Sequence, residues 1–172
     1  MSDLYDKVTE HQDPLTKLLG KIPGFNGYIE KGKRRAADKL LREQIANQYT
    51  ELWKRVGNLQ QDFASSGEVT YLDDLEKAAM KLQTFVDKIS NAAYGYAGFF
   101  DAIKIKEGEL AKIYEFDIAL LDMVDEFSRA IDNIEASVGS DGLPAAIRHL
   151  VGMTRDLVST FDRRDEVVTA VE

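Results

Sequence analysis

Leu41, Ile45, Tyr49, Leu52, Val56, Leu59 and Phe63 recur at spacings of four and three. An α-helix returns to one face at those intervals, so the stretch predicts one long amphipathic helix over about 27–65. Leu72, Leu75, Ala79, Leu82, Val86, Ile89 and Ala93 repeat the pattern and predict a helix from Thr70 to near Gly95. Thr70 is read as its cap, with Asp73 three residues on as the partner of a capping box. Ile113, Phe116, Leu120, Val124, Phe127, Ile131, Ile134 and Val138 predict a helix over about 108–138. Leu143, Ile147, Leu150, Leu157 and Phe161 predict another over about 143–163. Pro144 falls in its first turn, where a missing N–H costs little.

The polar and glycine-rich positions set the breaks. Ser65-Ser66-Gly67 and Gly139-Ser140-Asp141-Gly142 end two of the helices. Before the long helices, Asp3 caps a turn or two, and Asp13-Pro14 restarts a helix that Gly20 and Pro23 end. Asn26 is read as the cap of the next helix. Residues 95–108 read as a turn and a short helical piece capped by Asp101, although Ile103 and Ile105 alternate with Lys104 and Lys106. The expected fold is all-α: an antiparallel bundle of four long helices with a short, broken N-terminal helix. It forms one domain over 1–172, with an arm at 1–25, the bundle at 26–163 and a frayed tail at 164–172. The near-heptad spacing implies coiled-coil-like packing at crossing angles of about 20°.

Composition narrows the chemistry. The chain has 172 residues, 44% hydrophobic and 30% charged, a mixture that builds a core without staples. It has no cysteine, which removes disulfides, thiolate metal sites and cysteine nucleophiles. The N-terminus is charged from the start and no apolar run approaches the roughly 20 residues of a membrane span. A cytoplasmic protein is expected. The net charge of −8 argues against general nucleic-acid affinity. The charge is uneven. Residues 14–42 carry Lys17, Lys21, Lys31, Lys33, Arg34, Arg35, Lys39 and Arg42 against Glu30 and Asp38, a net +6 that leaves −14 elsewhere.

The usual catalytic patterns are missing. A carboxylate-bridged di-metal bundle wants Glu-x-x-His on two helices. The two histidines, His11 and His149, follow Val8 and Ala146 at that spacing. Gly27 to Lys33 matches G-x-x-x-x-G-K, but Arg34 stands where a P-loop needs Ser or Thr. A lone His149 builds no triad. Asp117 points inward if Ile113 sets the register and to the flank if Phe116 does. It is read as a boundary carboxylate paired with Lys or Arg, or else as part of a polar pocket with Tyr94, Tyr96 or Tyr114. No catalytic residue, metal site or cofactor is expected.

Two surfaces remain. Lys31, Arg34, Arg35 and Arg42 share one face of the second helix, with Lys33 beside them. They sit at a helix start, where the macrodipole disfavours positive charge, and such a local mismatch points to function. Tyr94, Tyr96, Phe99 and Phe100 are spaced by Gly95 and Gly98, and either plug a bundle end or receive a partner. The leading expectation is a non-enzymatic interaction or scaffold module that binds a protein partner or a copy of itself. The first alternative is docking on an anionic surface through 14–42, where Leu15, Leu18, Leu19, Ile22 and Phe25 beside Lys17 and Lys21 resemble an interfacial amphipathic helix. The second is a small-molecule pocket or enzyme inside the bundle.

Overall fold

The computed structural model describes residues 18, 20–30, 34–91 and 107–169, and among them helices α1 (Phe25–Glu30), α2 (Arg34–Ser66), α3 (Leu72–Asn91), α4 (Glu107–Ser137) and α5 (Leu143–Thr169). No strand occurs among the described residues. All seven stripe residues of α2, from Leu41 to Phe63, are buried, so the three-four spacing marks its inner face. Each long helix hides such a face, and burying apolar area at roughly 25 cal/mol per Å² offsets the ordering entropy.

Consecutive long helices are antiparallel, but the ring they form is not in chain order. α2 packs on α3 and α4, and α5 packs on α4 and α3. α2 and α4 run parallel: the Tyr49 hydroxyl donates to the Leu120 carbonyl and Arg55 reaches Ser128 and Asp132. α3 and α5 also run parallel, with the Phe85 and Phe161 rings 5.7 Å apart edge to face. The starts of α2 and α4 and the ends of α3 and α5 therefore share one end of the bundle. The turns 67–71 and 138–142 share the other, the turn end.

Several element limits differ from the sequence reading. α1 begins at Phe25, so Asn26 lies inside it rather than capping it. Thr70 does not precede a helix: it sits in a 3-10 turn, Val69–Tyr71, that runs straight into α3, whose first turn carries Asp73 and Asp74 against the dipole. α4 stops at Ser137, which leaves Val138 in the turn and 45% exposed rather than inward. α3 turns by a few tens of degrees from the expected register, so that Phe85 and Ala78 are buried and Val86 lies at the flank. α5 continues past 163 to Thr169, where a frayed tail was expected. The reason is Arg164, fully buried on its inner face.

Glycine is required at two turns. Gly67 takes φ 84°, and the Glu68 N–H reaches back to the Phe63 carbonyl, closing α2 with a Schellman bond. Gly24 takes φ 83° after Pro23, and the Phe25 N–H donates to the Ile22 carbonyl across them, the pattern of a type II turn. Lys21 before that turn and Phe25 after it both meet α4. Leu18, Ile22 and Phe25 are buried, Phe25 meets Tyr114 edge to face, and Lys21 pairs with Asp122.

Gly57 lies within α2, half-buried, with open space where a Cβ would stand. Gly57→Ala is expected to raise the unfolding free energy by about 0.5–1 kcal/mol and Tm by a few degrees, read by thermal melting. A lower Tm would show that α2 needs a flexible point there.

Candidate functional site

The most polar feature of the interior is an ion pair. Asp117 on α4 and Arg164 on α5 are each fully buried. Arg164 Nε donates to Asp117 Oδ1 at 2.6 Å and Nη2 faces Oδ2 at 3.5 Å, a two-armed contact. Ile113 rather than Phe116 sets the register of α4, since Ile113 is buried and Phe116 half-exposed, and this turns Asp117 inward. The arginine beside it answers the carboxylate's charge. Asp117 is therefore not a boundary residue, although its partner is of the expected kind. Of the tyrosines expected to share a pocket with it, Tyr114 is buried with its ring against Phe25. Tyr94 and Tyr96 lie outside the described residues, as do Phe99 and Phe100.

The structure separates the basic candidates. Lys31 and Lys33 lie outside the described residues, and Arg34 and Arg35 open α2. Arg42, expected on the same exposed face, is instead 4% exposed, and its Nη1 donates to the Ile89 carbonyl at 3.3 Å. The physical reason is the antiparallel neighbour. The start of α2 lies beside the end of α3, whose last carbonyls carry about half a negative charge. A cation that is misplaced on its own helix is well placed on the next one, so Arg42 is a fastening between helices. Beside it, Lys39, Arg42, Glu43, Ala46, Asn47 and Ser90 wall an open pocket of about 230 Å³. Lys39 and Glu43 stand 3.9 Å apart on its rim.

Of the residues read as an interfacial apolar face, Leu18, Ile22 and Phe25 are buried, and Leu15 and Leu19 lie outside the described residues.

The turn end has the opposite character. Residues 56–76 contain Asp62, Glu68, Asp73, Asp74 and Glu76 and no base, and 130–147 contain Asp132, Glu135 and Asp141 and no base. Arg55 reaches across from α2 to Ser128 Oγ at 2.9 Å, Asp132 at 2.6 Å and Glu135 at 3.5 Å. Amid these carboxylates, Val69 is 63% exposed and Val138 45% exposed, one in each turn. The exposure of Val138 escaped sequence reasoning because it continues the α4 stripe by spacing alone.

No group of three or more metal-ligating side chains occurs among the described residues. His149 is exposed on α5. Gly27 of the G-x-x-x-x-G-K match lies inside helix α1, not in a loop after a strand. Burial, and after it the Glu126 carboxylate, pushes the Tyr49 hydroxyl well above its ordinary pKa, so it serves as a neutral donor to Leu120. No helix among the described residues is long and apolar enough to cross a membrane. No protein family, curated protein or solved structure matches the chain.

Asp117→Ala leaves a guanidinium buried without its counter-charge and is expected to cost about 3–5 kcal/mol by urea unfolding. Replacing both partners, Asp117→Leu with Arg164→Met, is expected to return most of that loss. A single substitution costing no more than an exposed one, within about 0.5 kcal/mol, would place the pair in water instead.

Proposed function

We propose that this protein is a non-enzymatic interaction module whose acidic turn end takes a basic protein surface. The chain itself carries one basic stretch, 14–42 with net +6 in sequence, which a second copy can offer. The observation that carries this reading is the turn end, where both turns are free of lysine and arginine and each presents an exposed valine among carboxylates. Scattered apolar residues on a surface are ordinary. Two on turns at the same end of the bundle, each in a stretch whose own charges are all acidic, offer apolar contact points with carboxylates in the same stretches.

Distance supports the same reading. A helix the length of α2 spans about 50 Å, several times the Debye length of about 8 Å at physiological salt. The acidic end of one molecule is thus screened from its own basic stretch and open to that of another. Such a contact joins two different patches, so it builds chains of molecules rather than closed pairs.

Light scattering on the full chain tests this. At low salt the mass is expected to rise with concentration above 19.3 kDa. At about 1 M salt, where the Debye length is about 3 Å, it is expected to return to that of one chain. Val69→Ser with Val138→Ser, both at exposed turn positions, is expected to weaken the association without altering the circular dichroism. A single-chain mass at every salt and concentration, or association that both valine changes leave untouched, would overturn the reading.

A further inference from the structure

We infer that the seam between α3 and α5 binds a compact oligophosphate, pyrophosphate or the linked phosphates of a nucleotide, through Lys77, Lys81, Arg148 and Arg155. Two contacts set how these helices meet. Phe85 stands against Phe161 in the core, and Lys88 pairs with Asp162 at 4.0 Å on the surface. Each residue turns a helix by about 100°. Lys77 and Lys81 therefore share the Lys88 side of α3 to within about 20°, and Arg155 and Arg148 share the Asp162 side of α5 to within about 40°.

The helices run parallel, so the same two contacts set the levels. Lys77 and Lys81 stand about level with the turns before and after Arg155, and Arg148 stands one turn nearer the start of α3. Arg155 Nη2 lies over Gly152, 3.9 Å from where a Cβ would stand, which carries the guanidinium back to the level of Lys77. Lys77, Arg148 and Arg155 are exposed and Lys81 half-buried, with Val151 and Val158 half-buried at the base of the seam.

Charge makes this arrangement unusual. Acids outnumber bases 30 to 22 in the chain, yet among the described residues none of these four cations makes an ion pair. Like charges gathered without an answer repel one another, and such a local mismatch points to an absent anion. A guanidinium offers a fork of donors and the two lysines offer point charges, a set that suits phosphate oxygens. The neighbourhood limits the anion's size. Asp73 and Asp74 stand at the start of α3, Asp156 follows Arg155, and Asp87 precedes Lys88. A nucleic-acid strand or an acidic protein segment laid along the seam runs onto these carboxylates. Two or three linked phosphates keep their charge within reach of the four cations. The seam lies on the flank of the bundle and uses neither the turn end nor the stretch 14–42.

Isothermal titration calorimetry of the full chain with sodium pyrophosphate, at low salt and without divalent metal, tests this. One ion is expected to bind per chain. Lys81→Gln with Arg155→Gln is expected to weaken that binding by about tenfold or more. Arg163→Gln, which removes an exposed cation of α5 well round from the seam, is expected to leave it unchanged. Circular dichroism checks that each variant keeps its helix content. ADP run in parallel separates the sources: binding no tighter than pyrophosphate assigns the free inorganic ion, tighter binding assigns a nucleotide, and either upholds the seam. No saturable binding of pyrophosphate or ADP by the native chain would overturn the inference. So would an equal loss in Arg163→Gln, which would reduce the effect to overall charge. A tetraglutamate peptide that binds more tightly than pyrophosphate would overturn the phosphate in favour of an acidic protein segment.

Discussion

Asp117 and Arg164 leave water together, and neither could do so alone. A charge moved from water into an apolar interior costs several kcal/mol even after relaxation, so each holds its place only while the other answers it. Apolar stripes tolerate small slips along a helix, because one leucine replaces another. A two-armed contact between a carboxylate and a guanidinium tolerates none. The pair therefore fixes the register of α4 on α5 and carries α5 in helical form beyond the point where its apolar stripe ends at Phe161.

That register sets what the two ends of the bundle are. With α4 and α5 fixed, the parallel contacts of α2 with α4 and of α3 with α5 follow from Tyr49 on Leu120 and from Phe85 on Phe161. The ring then brings the basic start of α2 beside the carbonyl end of α3, and Arg42 joins them. The two carboxylate-rich turns fall together at the far end. Lys21 and Phe25 lie against α4, on Asp122 and Tyr114. Charge separation along the molecule is thus the packing order acting on segments of uneven charge.

Much of the fold was legible in the spacing of apolar residues. The α2 stripe from Leu41 to Phe63 is buried at every position, and the α5 stripe from Leu143 to Phe161 likewise. What could not be read was any property that depends on a neighbouring helix. Arg164 looks like the start of a polar tail until Asp117 is known to face it. Arg42 looks misplaced until the end of α3 stands beside it. Val138 fits its stripe by spacing and is exposed because the helix ends one residue earlier. Thr70 has a capping residue's chemistry, but a 3-10 turn occupies its place. Periodicity reports one helix at a time, whereas counter-charges and helix ends are settled between helices. The same limit applies to the candidate surfaces, where Lys31, Lys33, Tyr94, Tyr96, Phe99 and Phe100 fall outside the described residues.

Native-state hydrogen exchange along α5 tests the anchoring role of the buried pair most directly. If the pair holds the helix, amides from Leu157 to Asp165 exchange only with global unfolding, as slowly as those around Leu150. Exchange of that last stretch at the rate of a fraying end, while the rest of α5 stays protected, would contradict it.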